Sequence, residues 1–391
     1  MKRQVLLLAV AQALFQTASV LVMTIAGLAG AIVASKPELA TAPIATMFLG
    51  TVVFTMPASI WMTRVGRRRG FMAGAGLGAL GGAVAAAGMW AQSLPLVCLG
   101  TFLVGAYQGF AQFYRFAASE VAEPAFRPKA ISLVLAGGIV AALLGPTLGR
   151  LGGPLLTAEY AGSFLLLAAT SLAAALLLAG LRTPAPRAAG HDGPAPRSLR
   201  AIARQPTYFV AFFAAATGYG VMILAMTATP LAMLHHDHRL ADAATVIQLH
   251  VLGMFLPSFF TGGLIARFGV LNVMLTGVLL LAAHVLTTLT GTGFQSFAAA
   301  LIFLGVGWNF LYVGGTTLLT STYRPSEKGR AQALNDLSIF VVGLLCSLAA
   351  GALLRVLGWQ MLNAVLLPWL AVAAFSLLWL NGINRQARVR A

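Results

Sequence analysis

Long apolar stretches, each about the length of a membrane-spanning helix, follow one another along almost the whole chain. Short breaks with Pro, Gly or charged residues separate them, and the apolar residues inside a stretch are continuous. Continuous apolar segments indicate transmembrane helices, whereas alternation with polar residues would indicate barrel strands. The pattern predicts an all-α integral membrane protein with twelve spans, at about 5–33, 43–63, 70–91, 95–118, 130–150, 161–181, 206–234, 243–266, 270–290, 296–320, 330–354 and 359–381.

The composition agrees with a membrane location. Of 391 residues, 59% are hydrophobic and 9% are charged, and the mean hydropathy is +0.88. Soluble domains are nearer half apolar and a quarter charged, so a large soluble domain is excluded. The net charge of +16 raises the question of nucleic acid, but the basic residues lie in short breaks rather than on a basic helix face. Cys98 and Cys346 lie in apolar segments and predict no disulfide framework.

The distribution of Lys and Arg predicts the orientation in the membrane. Twenty of the 25 fall in the termini and in alternate connections, whereas the other connections hold four, Lys36, Arg150, Arg239 and Arg355. The last one, Arg115, lies within the fourth predicted span. Because basic residues concentrate on the cytoplasmic side, both termini are predicted to be cytoplasmic, in a multi-pass protein of the inner membrane.

The longest connection, 182–205, divides the spans six to six. It carries five Arg and four Pro, a composition typical of an extended flexible linker. The predicted domains are therefore bundles at 1–181 and 206–391 joined by this linker. The two halves also match weakly in register, with Gly66 corresponding to Gly269, and Gly105 to Gly305. A duplicated six-plus-six arrangement is typical of a transporter whose site lies between the halves.

Three local motifs carry a family resemblance. The segment 59–69 after span 2 resembles the cytoplasmic signature of the major facilitator superfamily, with Thr63 in place of its acid. A second copy at 262–269 keeps the first Gly and also lacks the acid. The motifs at 105–111 and 145–150 resemble signatures of the drug/proton antiporter branch, each with one residue changed. The resemblance implies two pseudo-symmetric six-helix bundles around a central cavity, working by alternating access.

In that fold, spans 1, 4, 7 and 10 line the cavity. The candidate substrate-binding residues on them are Phe15, Gln16, Tyr107, Gln108, Gln112, Tyr114, Arg115, Tyr219, Met222, Trp308, Asn309 and Tyr312. Aromatic and amide side chains with one cation suit a flat, largely apolar solute that has hydrogen-bonding edges and is neutral or anionic.

Ionisable residues at membrane depth are functional candidates because a charge there is costly. Asp336 is the best proton-coupling candidate, followed by His250, since no acid occurs in spans 1, 7 or 10. The predicted cytoplasmic gate consists of Arg64, Gly66, Arg67, Arg68, Glu120, Glu123 and Asp336. In this gate Asp336 supplies the acid that Thr63 lacks and pairs with Arg64 or Arg115, while Glu120 and Glu123 hold Arg67 and Arg68.

The leading hypothesis is a secondary transporter, with proton-coupled efflux of amphipathic or aromatic small molecules as its activity. The alternative on the same fold is an importer of a vitamin-like or siderophore-like solute. A polytopic enzyme is disfavoured because the sequence has no catalytic motif and no P-loop, and a channel needs no duplicated layout. The expected partners are the lipid bilayer, the solute and protons, without nucleic acid, for a monomer without cofactor or metal. The histidines at 235–238 read as a solvated loop.

Overall fold

The structure is a computed structural model that describes residues 2–36, 39, 42–182 and 196–390, all helical or irregular, with no β-strand among them. The all-α prediction is therefore confirmed. The helices are α1 Lys2–Val33, α2 Ala42–Val65, α3 Arg67–Trp90, α4 Leu94–Ala111, α5 Tyr114–Val121, α6 Arg127–Ala136, α7 Gly138–Gly152, α8 Ala161–Leu178, α9 Leu199–Ala203, α10 Pro206–His235, α11 Leu240–Phe255, α12 Ser258–Phe268, α13 Val270–Leu289, α14 Phe294–Leu319, α15 Lys328–Ala364 and α16 Leu367–Arg390.

Eleven stretches within the described ranges are long and apolar enough to cross a membrane. The last of them, Lys328–Asn384, contains 57 residues, whereas a single crossing needs about 20. It joins the two spans predicted at 330–354 and 359–381, and Gly358 between them has a non-helical φ of 71°. The difference between eleven and twelve is therefore a matter of where one long stretch is divided.

Four predicted spans are broken into two helices each. Span 4 is interrupted at Gln112 and Phe113, span 5 at Gly137, span 8 near Pro257, and span 12 at Val365 and Leu366. Proline removes a backbone donor and its ring crowds the preceding turn, which accounts for the break in span 8. The break in span 4 matters most, because the short helix α5 that follows it carries Arg115 and Glu120.

The chain forms two compact units. The first contains Met1–Pro124, Leu133–Pro194 and Gln332–Leu337, and the second contains Ala125–Ser132, Ala195–Ala331 and Ser338–Ala391. The predicted bundles at 1–181 and 206–391 followed chain order, whereas each compact unit also includes one short segment from the other half of the sequence. Residues 183–195 of the predicted linker lie outside the described residues.

Glycines bring helix backbones into direct contact in both units. In the first unit, a Cβ on Gly105 of α4 would lie 2.0 Å from the carbonyl oxygen of Met47 on α2. In the second unit, a Cβ on Gly305 of α14 would lie 2.5 Å from the carbonyl oxygen of His250 on α11. Small residues permit such close packing between membrane helices. The two glycines that match in the sequence therefore make the same kind of contact, each in its own unit.

The turn glycines of the duplicated motif also share one backbone conformation. Gly66 has φ 90° and ψ 159°, and Gly269 has φ 85° and ψ 151°. A side chain would be strongly disfavoured in this region of φ and ψ. Both motif copies thus make the same glycine-dependent turn between two helices.

Candidate functional site

A buried ion pair between Arg115 and Asp336 lies in the first unit. Arg115 Nη2 donates to Asp336 Oδ1 at 2.6 Å, and their side chains are 2% and 1% exposed. Asn335 donates to the same carboxylate oxygen at 2.8 Å. The carbonyl of Gln112, at the break after α4, accepts from Arg115 Nη1 at 3.1 Å. Local helix interruption thus positions the arginine.

A second ion pair joins α3 to the short helix α5. Arg67, at the start of α3, donates from Nη2 to Glu120 Oε1 at 2.8 Å and to Gln332 Oε1 at 2.7 Å. Its guanidinium also lies over the ring of Phe113 at 5.5 Å from the centroid. The Arg67–Gln332 hydrogen bond joins α3, and the Arg115–Asp336 pair joins α5, to the segment Gln332–Leu337. A buried pair of this kind is weak evidence for net stability, because desolvation of the two charges offsets their attraction.

The other predicted gate residues lie outside these two buried ion pairs. Arg64, Arg68 and Glu123 are exposed, and Gly66 forms the turn between α2 and α3. The prediction left Arg64 or Arg115 open as the partner of Asp336, and the structure places Arg115 there. Arg64 instead borders a shallow apolar groove of about 460 Å³ that Met56, Pro57, Ile60 and Trp61 also line. A role for any of them in gating stays a prediction.

Three predicted cavity residues of the first unit, Phe15, Tyr107 and Tyr114, form an aromatic cluster with Phe71. Phe15 packs edge-on against Tyr107 at 5.2 Å and against Tyr114 at 6.4 Å between ring centroids. Tyr114 in turn packs against Phe71 at 4.6 Å. These four rings are fully buried, and Gln108 beside Tyr107 in the sequence is 7% exposed. Gln16 and Gln112 are partly exposed.

The second unit holds an aromatic stack. The rings of Trp308 and Tyr312 are 4.8 Å apart and nearly parallel, at 16°. Phe255 packs edge-on against Trp308 at 5.8 Å, and Tyr219 lies 6.4 Å from Tyr312 and 5.7 Å from Phe340. Trp308 is 4% exposed, and its Nε1–H has no hydrogen-bond acceptor among the described residues. A buried indole donor without an acceptor is a feature that a ligand carbonyl could satisfy.

Two other predicted residues of the second unit have different surroundings. Met222 on α10 is buried at 3% exposure. Asn309 donates to the Met254 carbonyl at 2.7 Å and to Ser258 Oγ at 2.6 Å, and Thr261 donates to its Oδ1 at 2.7 Å. Because both amide hydrogens of Asn309 are used within the unit, this side chain ties α14 to α11 and α12. It has no amide hydrogen left for the predicted contact with substrate.

His250 on α11 and His284 on α13 are fully buried, and each contacts a backbone carbonyl of α14. His250 Nδ1 is 2.9 Å from the Leu301 carbonyl oxygen, and its Nε2 has no partner among the described residues. His284 Nδ1 is 2.9 Å from the Ala300 carbonyl oxygen, and its Nε2 is 3.0 Å from Asn363 Oδ1. His250, the predicted second proton site, therefore has one polar contact, whereas His284 has two.

Sequence reasoning missed an ion pair at the start of the second unit. Arg197 donates to Glu327 through its backbone N–H at 2.8 Å, through Nε at 2.9 Å and through Nη2 at 2.7 Å. The Arg197 hydrogen bonds, with one from the Arg324 backbone N–H, lower the pKa of Glu327 to about 2. Five arginines in the predicted linker read as undifferentiated positive charge, so no sequence signal singled out Arg197.

Comparison with protein families gives one family for the whole chain. The model described as Major Facilitator Superfamily matches residues 5–255 and, in a second match, residues 211–390. The two matches together cover nearly every residue. This agrees with the resemblance that the sequence motifs carried.

Individual relatives span nearly the same length. The chain is 40% identical over 381 residues to the riboflavin transporter RfnT of Brucella anthropi, covering 96% of this chain and 95% of that one. It is 29% identical to an uncharacterised transporter of this superfamily, YddS of Bacillus subtilis, over 80% of this chain and 74% of the relative. Among solved structures, the E. coli fucose:proton symporter FucP has a TM-score of 0.76 at 16% identity, covering 96% of this chain and 98% of FucP. That likeness concerns the fold alone.

Proposed function

Because the chain belongs to the major facilitator superfamily and is a membrane transporter of that type, we propose that it carries riboflavin or a closely related flavin into the cell. The observation that carries the proposal is the 40% identity to a riboflavin transporter along 96% of this chain. Riboflavin is a vitamin, so this relative favours the importer alternative over proton-coupled efflux. The remaining support comes from the chemistry of the described side chains.

The aromatic stack of the second unit suits a flavin. The isoalloxazine ring is flat and largely apolar, with carbonyl oxygens on one edge. Trp308 and Tyr312 stack on each other, so a flavin would pack on an outer face of the pair, in the offset stacking that aromatic rings prefer. The free Nε1–H of Trp308 would meet an acceptor on the flavin edge. Specific recognition usually takes this form, with an apolar surface and a few placed polar groups.

The first unit, taken by itself, has a buried polar atom that is a candidate for solute contact. Gln108 Oε1 is buried without a hydrogen-bond donor among the described residues. A hydroxyl or N–H of a solute would satisfy this acceptor. Asp336 remains the proposed proton-coupling carboxylate, with Arg115 as the partner that would be released or engaged as it changes charge.

Uptake into an auxotroph tests the proposal directly. The chain would be expressed in a bacterial strain that can neither make riboflavin nor import it, and growth on limiting riboflavin would be measured together with uptake of radiolabelled riboflavin. We expect both to require the protein, and excess unlabelled riboflavin to compete for uptake. Trp308→Ala should abolish uptake, whereas Trp90→Ala, which changes a half-exposed tryptophan of α3, should leave it intact.

Two results would count against this proposal. Membranes that contain the protein but give no uptake above the empty-vector strain would exclude riboflavin import. Faster loss of preloaded riboflavin, or resistance of the cells to amphipathic dyes, would instead favour the efflux hypothesis. Immunoblotting of the membrane fraction separates either result from a failure of expression.

A further inference from the structure

The two buried histidines of the second unit make the same contact through Nδ1 and differ in the contact of Nε2. His284 on α13 and His250 on α11 each place Nδ1 2.9 Å from a backbone carbonyl of α14, at Ala300 and Leu301 respectively. These carbonyls are consecutive in the chain. Beyond its ring, His284 has Asn363 Oδ1 at 3.0 Å from Nε2, whereas His250 Nε2 has no partner among the described residues.

The contacts of His284 can be counted in hydrogens. A backbone carbonyl oxygen only accepts, and the Asn363 amide donates from Nδ2 to the Trp359 carbonyl at 2.8 Å, which leaves its Oδ1 facing His284. Both nitrogens of His284 therefore face acceptors. A neutral imidazole carries one N–H and an imidazolium carries two. The neutral ring consequently leaves one of these contacts without a hydrogen, and the cation completes both.

Exchanging the positions of the oxygen and nitrogen of the Asn363 amide does not supply the missing hydrogen. Its NH₂ would then donate to His284 Nε2, so a neutral ring protonated at Nδ1 would make two hydrogen bonds. Asn363 Oδ1 would, however, face the Trp359 carbonyl oxygen at hydrogen-bond distance with no hydrogen between them. The contacts run from the Ala300 carbonyl through His284 and Asn363 to the Trp359 carbonyl, with an acceptor at each end. Only a ring with two N–H groups places a hydrogen in every one of these contacts.

We propose that His284 is a proton-binding site of the second unit, held between the Ala300 carbonyl and the Asn363 amide. Nothing in the proposal depends on the identity of the transported solute. Binding a proton adds the hydrogen bond that the neutral His284 ring cannot make. Hydrogen bonds from a charged donor are stronger than those between neutral groups. Burial opposes the charge, so the bound proton depends on this acceptor pair.

Among the described residues, His250 on α11 is an ionisable side chain that interacts electrostatically with His284. Arg267 on α12 and Arg355 on α15 are exposed, and α14 has no acidic or basic residue. Along α10 and α16, none occurs before His235 and Arg385 respectively. The site therefore relies on neutral acceptors rather than on a carboxylate.

Histidine ring ¹⁵N spectra of the full-length protein test the proposal without any transport assay. The protein would be labelled on histidine, reconstituted in lipid and recorded between about pH 5 and pH 8. We expect the His284 resonances, assigned by their loss in His284→Gln, to show two protonated nitrogens at the acidic end. His250 is the matched control in the same molecule, because it has the same carbonyl contact without the second acceptor. It is expected to remain neutral throughout.

Variants of Asn363 sharpen the result. Asn363→Asp supplies a charged acceptor and should preserve the doubly protonated signature of His284 to higher pH. Asn363→Leu removes the acceptor and should leave one protonated and one bare nitrogen at every pH. The proposal is wrong if wild-type His284 shows one bare nitrogen across the whole range, an outcome that needs no variant to fold. It is equally wrong if His250 and His284 titrate alike.

Discussion

Arg115 Nη2 lies 2.6 Å from Asp336 Oδ1 in a setting where both side chains are almost fully buried, and the second carboxylate oxygen of Asp336 has no hydrogen-bond partner among the described residues. The pair is therefore incompletely compensated. Asn335 and Arg115 supply the polar contacts of one oxygen. Removing either charge leaves the other buried in an environment that disfavours it.

A double-mutant cycle should reveal strong coupling between Arg115 and Asp336. We expect Arg115→Met and Asp336→Leu each to destabilise the purified protein by about 3–5 kcal/mol, because each leaves an uncompensated buried charge. The double variant should cost less than the sum of the two single variants. Unfolding in detergent measures all three. Arg64→Met, at an exposed position, is the control and should change the free energy of unfolding little. Additive effects within the cycle would show that Arg115 and Asp336 act independently.

Asp336→Asn should separate binding from coupling. If Asp336 carries the transported proton, the amide cannot ionise, so uptake driven by a pH gradient should be lost while exchange of labelled for unlabelled solute continues. Both are measured in proteoliposomes with an imposed gradient. Full gradient-driven uptake by the Asn variant would exclude Asp336 as the coupling residue.

Trp308 variants should separate stacking from hydrogen bonding. Trp308→Phe keeps a ring beside Tyr312 but loses Nε1–H, so riboflavin binding should weaken about two- to tenfold, the value of one net hydrogen bond. Trp308→Ala also removes the stacking partner and should weaken binding further. Equilibrium dialysis with purified protein gives both affinities. Trp90→Phe is the control, and wild-type affinity in Trp308→Phe would remove the indole from the proposed recognition.

Glu327 should stabilise the second unit in a pH-dependent way. Its pKa is lowered from 4.5 to about 2, chiefly by hydrogen bonds from the Arg197 side chain, so its contribution is complete above about pH 4.5 and is lost as the pH falls toward 2. We expect Glu327→Gln to lower Tm by a constant amount from pH 7 to pH 5, and by progressively less in stronger acid. Thermal unfolding of both proteins across this range measures the difference.

The matched control for Glu327 is Glu159→Gln, at an exposed carboxylate. Its Tm should follow that of the wild-type protein at every pH. A Tm difference between wild type and Glu327→Gln that stays constant below pH 4.5 would mean that the Arg197–Glu327 contact contributes through shape rather than through charge.

Two helical glycines should respond oppositely to one added methyl group. A Cβ on Gly105 would lie 2.0 Å from the Met47 carbonyl oxygen, whereas one on Gly76 meets nothing within 4 Å. Gly105→Ala is therefore expected to destabilise the first unit by about 1–3 kcal/mol through overpacking. Gly76→Ala should be neutral or stabilising by up to about 1 kcal/mol, because alanine favours helix. Equal Tm values for the two variants would contradict the close α2–α4 packing.

The sequence alone determined the helical membrane fold, the family resemblance and the duplication. Continuous apolar runs and the position of Gly66 and Gly269 are local properties, and both glycines adopt the same positive φ in the structure. Membrane helices satisfy their own backbone hydrogen bonds, so length and apolarity suffice to predict them. The sequence also pointed to importer and exporter alternatives, between which residue types alone did not decide.

Tertiary structure decided which polar side chains meet. Arg115 and Asp336 are 221 positions apart and His284 and Asn363 are 79 apart, and no local pattern encodes such contacts. Hydropathy treats spans 4 and 8 as continuous, whereas the structure divides them at Gln112 and near Pro257. Arg115 lies just after the first break, and Ser258, just after the second, contacts Asn309. Ion pairs and amide hydrogen bonds tolerate changes of only a few tenths of an ångström in the donor–acceptor distance. Only the packing of the helices sets these distances.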